Sequence, residues 1–302
     1  MKRIASSYSS PVVEASRSAL LELSMSLRSY RDALALVGGW VPYFLLRDHR
    51  AADSDFEHVG SIDIDLVVDP DRIGSQEYAT IVEVITDRGW EPHESRQFSY
   101  TRQVVSPVDR RPYSITVDFL TPDPDRLTRR GRHRKVQQDL DARIMRGAPL
   151  ALAHQRSVSI EARLPNGGRT RTEIRMADVV GCVAMKGLAL GGRMAEKDAY
   201  DIYAVLDNIE GGPSRVASEF MPFVEDPLVA ESIENIRSMF LGADSVGAHL
   251  VADFFSGERG AAYDRRALRA SEIVGAFIEG LVVKPCDVPG RPQSSGAPPR
   301  CR

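Results

Sequence analysis

Cysteine is scarce in this chain, with three in 302 residues, at Cys182, Cys286 and Cys301. Their spacing fits neither a zinc ligand set nor a disulfide framework, which excludes both as organising devices and suits a reducing compartment. Long apolar runs are absent as well. No window approaches a membrane span, and the basic start Met1-Lys2-Arg3 is not followed by the apolar core of a signal peptide. A cytoplasmic protein without membrane contact is expected. Nor is there an excess of charge of one sign: 39 Lys and Arg face 42 Asp and Glu, a formal net charge of -3. A protein that coats nucleic acid through overall charge is thereby excluded, so any such contact has to come from a local patch. At 43% hydrophobic and 27% charged residues the composition is ordinary for a globular protein, and the length allows one large or two modest domains.

What is present is organised around Gly60-Ser61-Ile62-Asp63-Ile64-Asp65-Leu66-Val67-Val68, a small polar turn running into an alternating, β-branched strand. Side chains of a strand alternate faces, so Asp63 and Asp65 point one way and Ile62, Ile64 and Leu66 the other. Adjacent carboxylates repel, and one must take up a proton near neutrality unless a cation lies between them. Hard oxygen ligands of this kind suit Mg²⁺ bound together with substrate phosphates. The same pattern also describes the solvated acidic face of an edge strand.

Upstream, Pro11 opens a helical run through Val12, Leu20, Leu23, Leu27 and Tyr30. Ala33 to Val37 reads as a buried strand ending at Gly38-Gly39, followed by a helix from about Val41 to Arg47. Adjacent glycines let the backbone approach a ligand closely, and a helix N-terminus favours anions; a plain strand-to-helix turn would use them too. Downstream, Tyr78 to Gly89 is an amphipathic helix. Phe98–Val105 and Tyr113–Leu120 form an antiparallel pair whose second strand carries Asp118, either a surface residue or a third member of the acidic cluster. Val158–Leu164 and Thr170–Met176 flank Pro165-Asn166-Gly167-Gly168, a hairpin signal. Beyond it the periodicity is helical, over 178–190, 197–206, 213–224, 228–241, 246–255 and 263–283. The expected organisation is a flexible lead-in (1–10), an α+β domain (11–176), a helical domain (177–283) and a Pro-, Gly- and Ser-rich disordered tail (284–302).

Two further clusters carry charge. Arg126, Arg129, Arg130, Arg132, Arg134 and Lys135, with His133 among them and no acid, form the local basic patch that overall charge left open. Such a run is commonly a solvated helix face and otherwise a phosphate-binding surface. Lys186 sits within an apolar and small-residue run, where an ammonium calls for a partner anion. Arg193 follows seven residues on, and Lys197-Asp198 with Asp201 open the next helix. Here too a helix cap and a lysine reaching to solvent are the structural alternatives.

The order Gly38-Gly39, Ser61-x-Asp63-x-Asp65, a lone strand Asp118, Lys186 and Lys197-Asp198-x-x-Asp201 resembles the nucleotidyltransferase superfamily, within it most of all the AbiEii-type toxins of type IV toxin–antitoxin and abortive-infection systems. The likeness spans about residues 33–206. It implies a polymerase-β-like mixed sheet with helices, followed by an all-helical C-terminal region. It implies further that Asp63, Asp65 and Asp118 bind Mg²⁺, with Asp118 also helping to deprotonate the attacking hydroxyl. Gly38, Gly39, Gly60 and Ser61 would then meet the nucleotide phosphates, with Lys186, Arg193 and Lys197 neutralising them. Asp198 would orient the lysine or the nucleotide, and Asp201 would support the helix. The implied substrates are a nucleoside triphosphate and an RNA acceptor, tRNA being the natural candidate, docked on Arg129, Arg130, Arg132, Arg134 and Lys135. An antitoxin partner is implied by the likeness alone. A small-molecule, antibiotic-type nucleotidyltransferase and a non-catalytic nucleotide-binding module are the alternatives.

Overall fold

A computed structural model describes residues 3–73, 79–123 and 132–282. Among these residues the chain is α+β, with nine strands in one mixed sheet and ten α-helices. The first half supplies α1 (Ser10–Ser26), β1 (Leu34–Val37), α2 (Trp40–His49), β2 (Ile64–Val68), α3 (Ile81–Thr86), β3 (Glu91–His93), β4 (Arg96–Val105) and β5 (Pro112–Thr121). There follow β6 (His133–Lys135), β7 (Asp141–Ile144), α4 (Ala148–Ala153), β8 (Gln155–Arg163) and β9 (Arg169–Ala177). Helices α5 (Val179–Arg193), α6 (Glu196–Asn208), α7 (Gly212–Phe220), α8 (Pro227–Met239), α9 (Val246–Phe255) and α10 (Ala261–Gly280) complete it.

The strand order is β3-β4-β5-β2-β1-β9-β8, with β7 also paired to β5 and β6 to β7. The apolar run of β1 is buried at every residue, as a strand covered on both faces requires. Its neighbour β2 runs antiparallel to β1 and parallel to β5. Strand β2 is therefore interior to the sheet, and the edge-strand reading of its acids does not hold. It also begins only at Ile64, so that Ile62 and Asp63, expected within the strand, lie in the bend before it.

Local chemistry sets the element ends. The Asp178 side chain accepts from the Gly181 amide at 2.9 Å and starts α5, while Asp226 accepts from Leu228 and Val229 ahead of Pro227 at the start of α8. Thr80 and Glu83 form a capping box on α3. The hairpin around Asn166 and Gly167 joins β8 to β9 as the sequence predicts. The four short elements β3, β6, β7 and α4 were not expected, being only three to six residues long. Periodicity cannot declare itself over so few residues. Among them β6 corrects the reading of the basic run: His133–Lys135 is a strand and not a helix face. Arg126, Arg129 and Arg130, the Tyr78 start of the third helix, Cys286, Cys301 and the tail lie outside the described residues.

Helix α1 lies across β4, β5, β8 and β9, while α4 packs on β1, β2 and β9 with α5 against it. One apolar core runs without a break from Val13 in α1 through the sheet to Phe277 in α10. The boundary drawn at 176/177 thus separates an α/β half from a helical half that share this core. Residues 3–9, expected as a flexible lead-in, lie against the rest of the fold: Ala5–Ser7 is a 3₁₀ turn, and the Tyr8 ring sits 5.8 Å from Phe254 of α9.

The sharpest turn joins β1 to α2. Gly38 has φ +73°, and a Cβ on it would fall 2.0 Å from Asp65 Oδ2. Gly38→Ala is expected to lower stability by about 1–2 kcal/mol from the left-handed backbone alone, with more added by displacing Asp65. A urea denaturation midpoint equal to that of the wild type would show that the turn tolerates a side chain.

Candidate active site

Strand pairing brings the acids together. Asp65 is the direct Cα partner of Asp118 across β2 and β5, and of Val37 across β2 and β1. Asp63 is close enough to act electrostatically on both carboxylates. The Asp65 carboxyl is driven up to about 7, by burial first and then by the Asp118 and Asp63 charges. Burial also raises Asp118, opposed by the Ser99 hydroxyl, which donates to its Oδ1 at 2.6 Å, and by Arg96, whose Nη1 stands 3.6 Å from Oδ2. Asp63 has a different counter-charge. The Arg3 guanidinium donates to it from the lead-in segment.

The donor set is all carboxylate oxygen, which suits a hard divalent cation such as Mg²⁺. The raised proton affinity of Asp65 is the mark of negative charge short of compensation, which a cation between the carboxylates would relieve. Asp63, Asp65 and Asp118 therefore fit such an ion chemically. Among the described residues no group of three His, Cys, Asp or Glu side chains is already gathered around a metal position. With Arg3 on Asp63, a cation would have to take the place of that guanidinium.

The turn from α5 into α6 supplies the positive side. Lys186 Nζ donates to Asp198 Oδ1 at 3.0 Å and stands 2.7 Å from Asp201 Oδ2. Arg193, at the end of α5, donates to Asp198 at 2.6 and 2.9 Å. Lys197 pairs with Asp201 one helical turn along α6. Burial works against the Lys186 ammonium, but Asp201 and Asp198 outweigh it and hold its pKa above the usual range. Lys197 responds in the opposite sense: burial prevails over Asp201 and lowers it. Burial is the largest influence on both carboxyls of the cluster and pushes them up, but the surrounding cations, Lys186 foremost, together outweigh it and hold both below the usual range.

His58 completes the cluster. Its pKa is lowered to about 4 by burial and by Lys197, so the ring is neutral near pH 7. The Gly60 amide donates to Nδ1 at 3.1 Å, which leaves the proton on Nε2 to be donated to Asp201 Oδ1 at 2.9 Å. With His58 neutral, three basic side chains face two carboxylates, and both Lys186 and Arg193 draw the Asp65 pKa down.

These groups line one cavity of about 690 Å³. Of the residues expected to act, Gly38, Gly39, Ser61, Asp63, Asp65, Asp118, Lys186, Arg193, Lys197 and Asp198 all reach it. Gly39 packs so closely that a Cβ would come 2.8 Å from Ser61 Oγ, and that hydroxyl donates to the Asp63 carbonyl at 2.9 Å. Gly60 does not line the cavity; it faces Val13 of α1. Asp201 lies behind the wall, under Lys186 and Lys197. Arg132, Arg134 and Lys135 are also outside the cavity, and Lys135 Nζ donates to the Gln138 carbonyl. A shallower hollow of about 830 Å³ lies between α1, α2 and the β8–β9 hairpin. Its Arg17 is spent on Glu14 and its Arg47 on Asp48, so it gathers no chemistry of this kind.

Sequence reasoning missed Arg3, Tyr8, His58, Ser99, Arg96, Arg143 and Arg146. Ser99 was within reach, because it faces Asp118 directly in the β4–β5 register that the hairpin pattern implies. The others arrive through tertiary contacts that no local pattern encodes. No protein-family model, no curated protein and no solved structure matches the chain. No helix among the described residues is long and apolar enough to cross a membrane.

Because the folded pKa of Asp65 lies above its unfolded value, the folded state binds the extra proton, and the penalty on stability grows as pH rises from about 4 to about 7. Asp65→Asn removes that penalty. Its stability relative to the wild type should increase across this window by at most about 1.4 kcal/mol per pH unit and level off above it; a difference flat with pH in thermal melts refutes the assignment.

Lys186→Met leaves Asp198 and Asp201 short of a buried cation and should cost about 3–5 kcal/mol. Arg193→Ala, whose side chain is 62% exposed, should cost less than about 1 kcal/mol. Equal losses in urea unfolding would contradict this ranking.

Proposed function

We propose that this chain is a Mg²⁺-dependent nucleotidyltransferase, with the fold of the polymerase-β-like superfamily, moving a nucleoside monophosphate from a nucleoside triphosphate to an RNA acceptor. The observation that carries the reading is the meeting, in one cavity, of three carboxylates, two on adjacent strands and one in the bend before β2, with an uncapped glycine turn and a cluster of basic side chains with charge to spare. The order of these motifs along the chain supports a toxin of the AbiEii type, acting in the cytoplasm on tRNA and restrained by an antitoxin.

The parts divide the work. Helix α2 starts at the Gly38-Gly39 turn with no side-chain cap, which suits its N-terminus to phosphate oxygens, and the Ser61 hydroxyl could join it by turning away from the Asp63 carbonyl. Lys186, Arg193 and Lys197 attract the triphosphate and offset the charge gathered on pyrophosphate as it leaves. Asp63, Asp65 and Asp118 would hold Mg²⁺, which when bound stabilises charge on the attacking and departing oxygens. Asp118, whose pKa is raised by burial, accepts the proton of the acceptor hydroxyl. A bond forms from that oxygen to the α-phosphorus as the bond to pyrophosphate breaks. Most of the acceleration comes from placing the two substrates against each other.

The contact between Arg3 and Asp63 favours a second reading, a nucleotide-binding module without catalysis. Incubation with Mg²⁺, each α-labelled nucleoside triphosphate and total RNA separates the two. Label is expected on RNA, with Asp118→Asn reducing transfer about 10²–10⁴-fold. Nucleotide binding without transfer to any acceptor, unaltered by Asp63→Ala, would establish the module instead, and label on a small amine-bearing antibiotic would redirect the assignment to a small-molecule enzyme.

A further inference from the structure

The cavity has a second basic flank, on the side of Asp118 away from Lys186. It arises from a change of strand partner. Strand β4 pairs with β5 as far as Ser99 opposite Asp118, and beyond that point β7 takes over, with Arg143 opposite Leu120. The start of β4 and the strand β7 thus converge just past the carboxylate. Arg96 and Arg143 both line the cavity there, and both hold the Asp118 pKa down. The Arg143 guanidinium lies 5.7 Å from the centre of the Phe98 ring. His133, the direct Cα partner of Arg143 across β6 and β7, stacks its exposed ring on the same Phe98 at 5.3 Å and 25°.

These side chains are held unlike those of the other flank. Among the described residues the ion pair of Arg96 is a long one, to Asp118, and Arg143 makes no ion pair, whereas Arg146 is locked to Glu231. A triphosphate requires cations on one side of the carboxylates, and Lys186, Arg193 and Lys197 already stand there. Arginines on the opposite side call for a second anion, and guanidinium groups match phosphate oxygens in pairs. A flat exposed ring beside them is the other half of a single-strand site, since bases stack on aromatic side chains whatever their sequence. A cationic acceptor such as an amine-bearing antibiotic would be repelled.

We propose that this flank is a subsite for the unpaired end of an RNA acceptor, with Arg96 and Arg143 holding its phosphates and the His133 ring, backed by Phe98, receiving a base. The inference rests on the transfer reading for its direction, because it brings the terminal hydroxyl to Asp118. Its two arginines lie outside the basic run that the sequence singled out, and from that run it takes His133 alone.

The test is fluorescence anisotropy of a 5′-labelled single-stranded RNA on the full chain, without nucleotide. The Arg96→Ala, Arg143→Ala double variant should bind about tenfold or more weakly and flatten the dependence of log K on log salt by about 0.7 for each phosphate no longer neutralised. His133→Ala should weaken binding about fivefold or more, and His133→Phe should restore it. A wild type that does not bind the strand, or a double variant that binds like the wild type, overturns the subsite. The two readings fail separately. RNA binding that depends on these arginines, in a protein that transfers no label, leaves the subsite standing and sinks the transferase. Undiminished transfer to RNA by the double variant does the reverse.

Discussion

The constraint on which the rest of the structure depends is the placement of like charges at the middle of a sheet. Asp65 and Asp118 are direct partners on adjacent interior strands, and Asp63 stands beside them. An exposed edge could leave such a trio to water; an interior position cannot. The fold answers with a different device for each acid. Arg3 is brought to Asp63 from the chain's start, Ser99 and Arg96 to Asp118, and Asp65 is left with a proton affinity raised to about 7. Of the three, Asp65 has the least local compensation, which is where the proposed cation would act most directly.

The glycine turn and the helical half follow from the same constraint. Asp65 Oδ2 occupies the space that a Cβ on residue 38 would need, so the turn from β1 into α2 has to be glycine if the carboxylate is to sit there. Lys186 does not stand as an unpaired charge. It is balanced by Asp198 and Asp201, and Asp201 is steadied in turn by a neutral His58. This network ties α5 and α6 to the loop ahead of β2, so the surplus of positive charge is fixed in position relative to the acids. Preorganised charge of this kind costs no rearrangement when a substrate arrives.

Much of the architecture was legible because the periodic signals are long. The β8–β9 hairpin, the β4–β5 pair and the helices after residue 178 follow the sequence pattern closely. Short elements such as β7 were not legible, since four residues hold too little pattern, and β7 is what delivers Arg143 to the site. The motif residues around Gly38, Asp65, Asp118 and Lys186 do meet in one cavity. Sequence could not show which partners each would find. Lys186 wanted an anion, and although the family likeness offered Asp198 to orient it, nothing in the pattern revealed that Asp201, expected only to support its helix, would pair with it as well. Nor could it show that Arg3, in a stretch without periodicity, would fold back across 60 positions to Asp63.

The two basic flanks differ in how firmly their charges are held, and the difference bears on what each can do. Lys186 and Lys197 are enclosed and paired with buried carboxylates, and Arg193 shares Asp198 with Lys186. Such groups can present charge only to an anion of fixed shape, brought to a fixed place. Arg96 is 40% exposed and only loosely paired, and Arg143 leans on an aromatic ring rather than on an acid. Long side chains so placed can adjust to a chain of variable conformation. The proposed transfer of a nucleoside monophosphate from a compact triphosphate to the end of a flexible polymer would use this asymmetry, with rigidity on the donor side and tolerance on the acceptor side. In this fold the asymmetry comes from two sources: a buried ion-pair network between α5 and α6, and a change of strand partner immediately beyond Asp118.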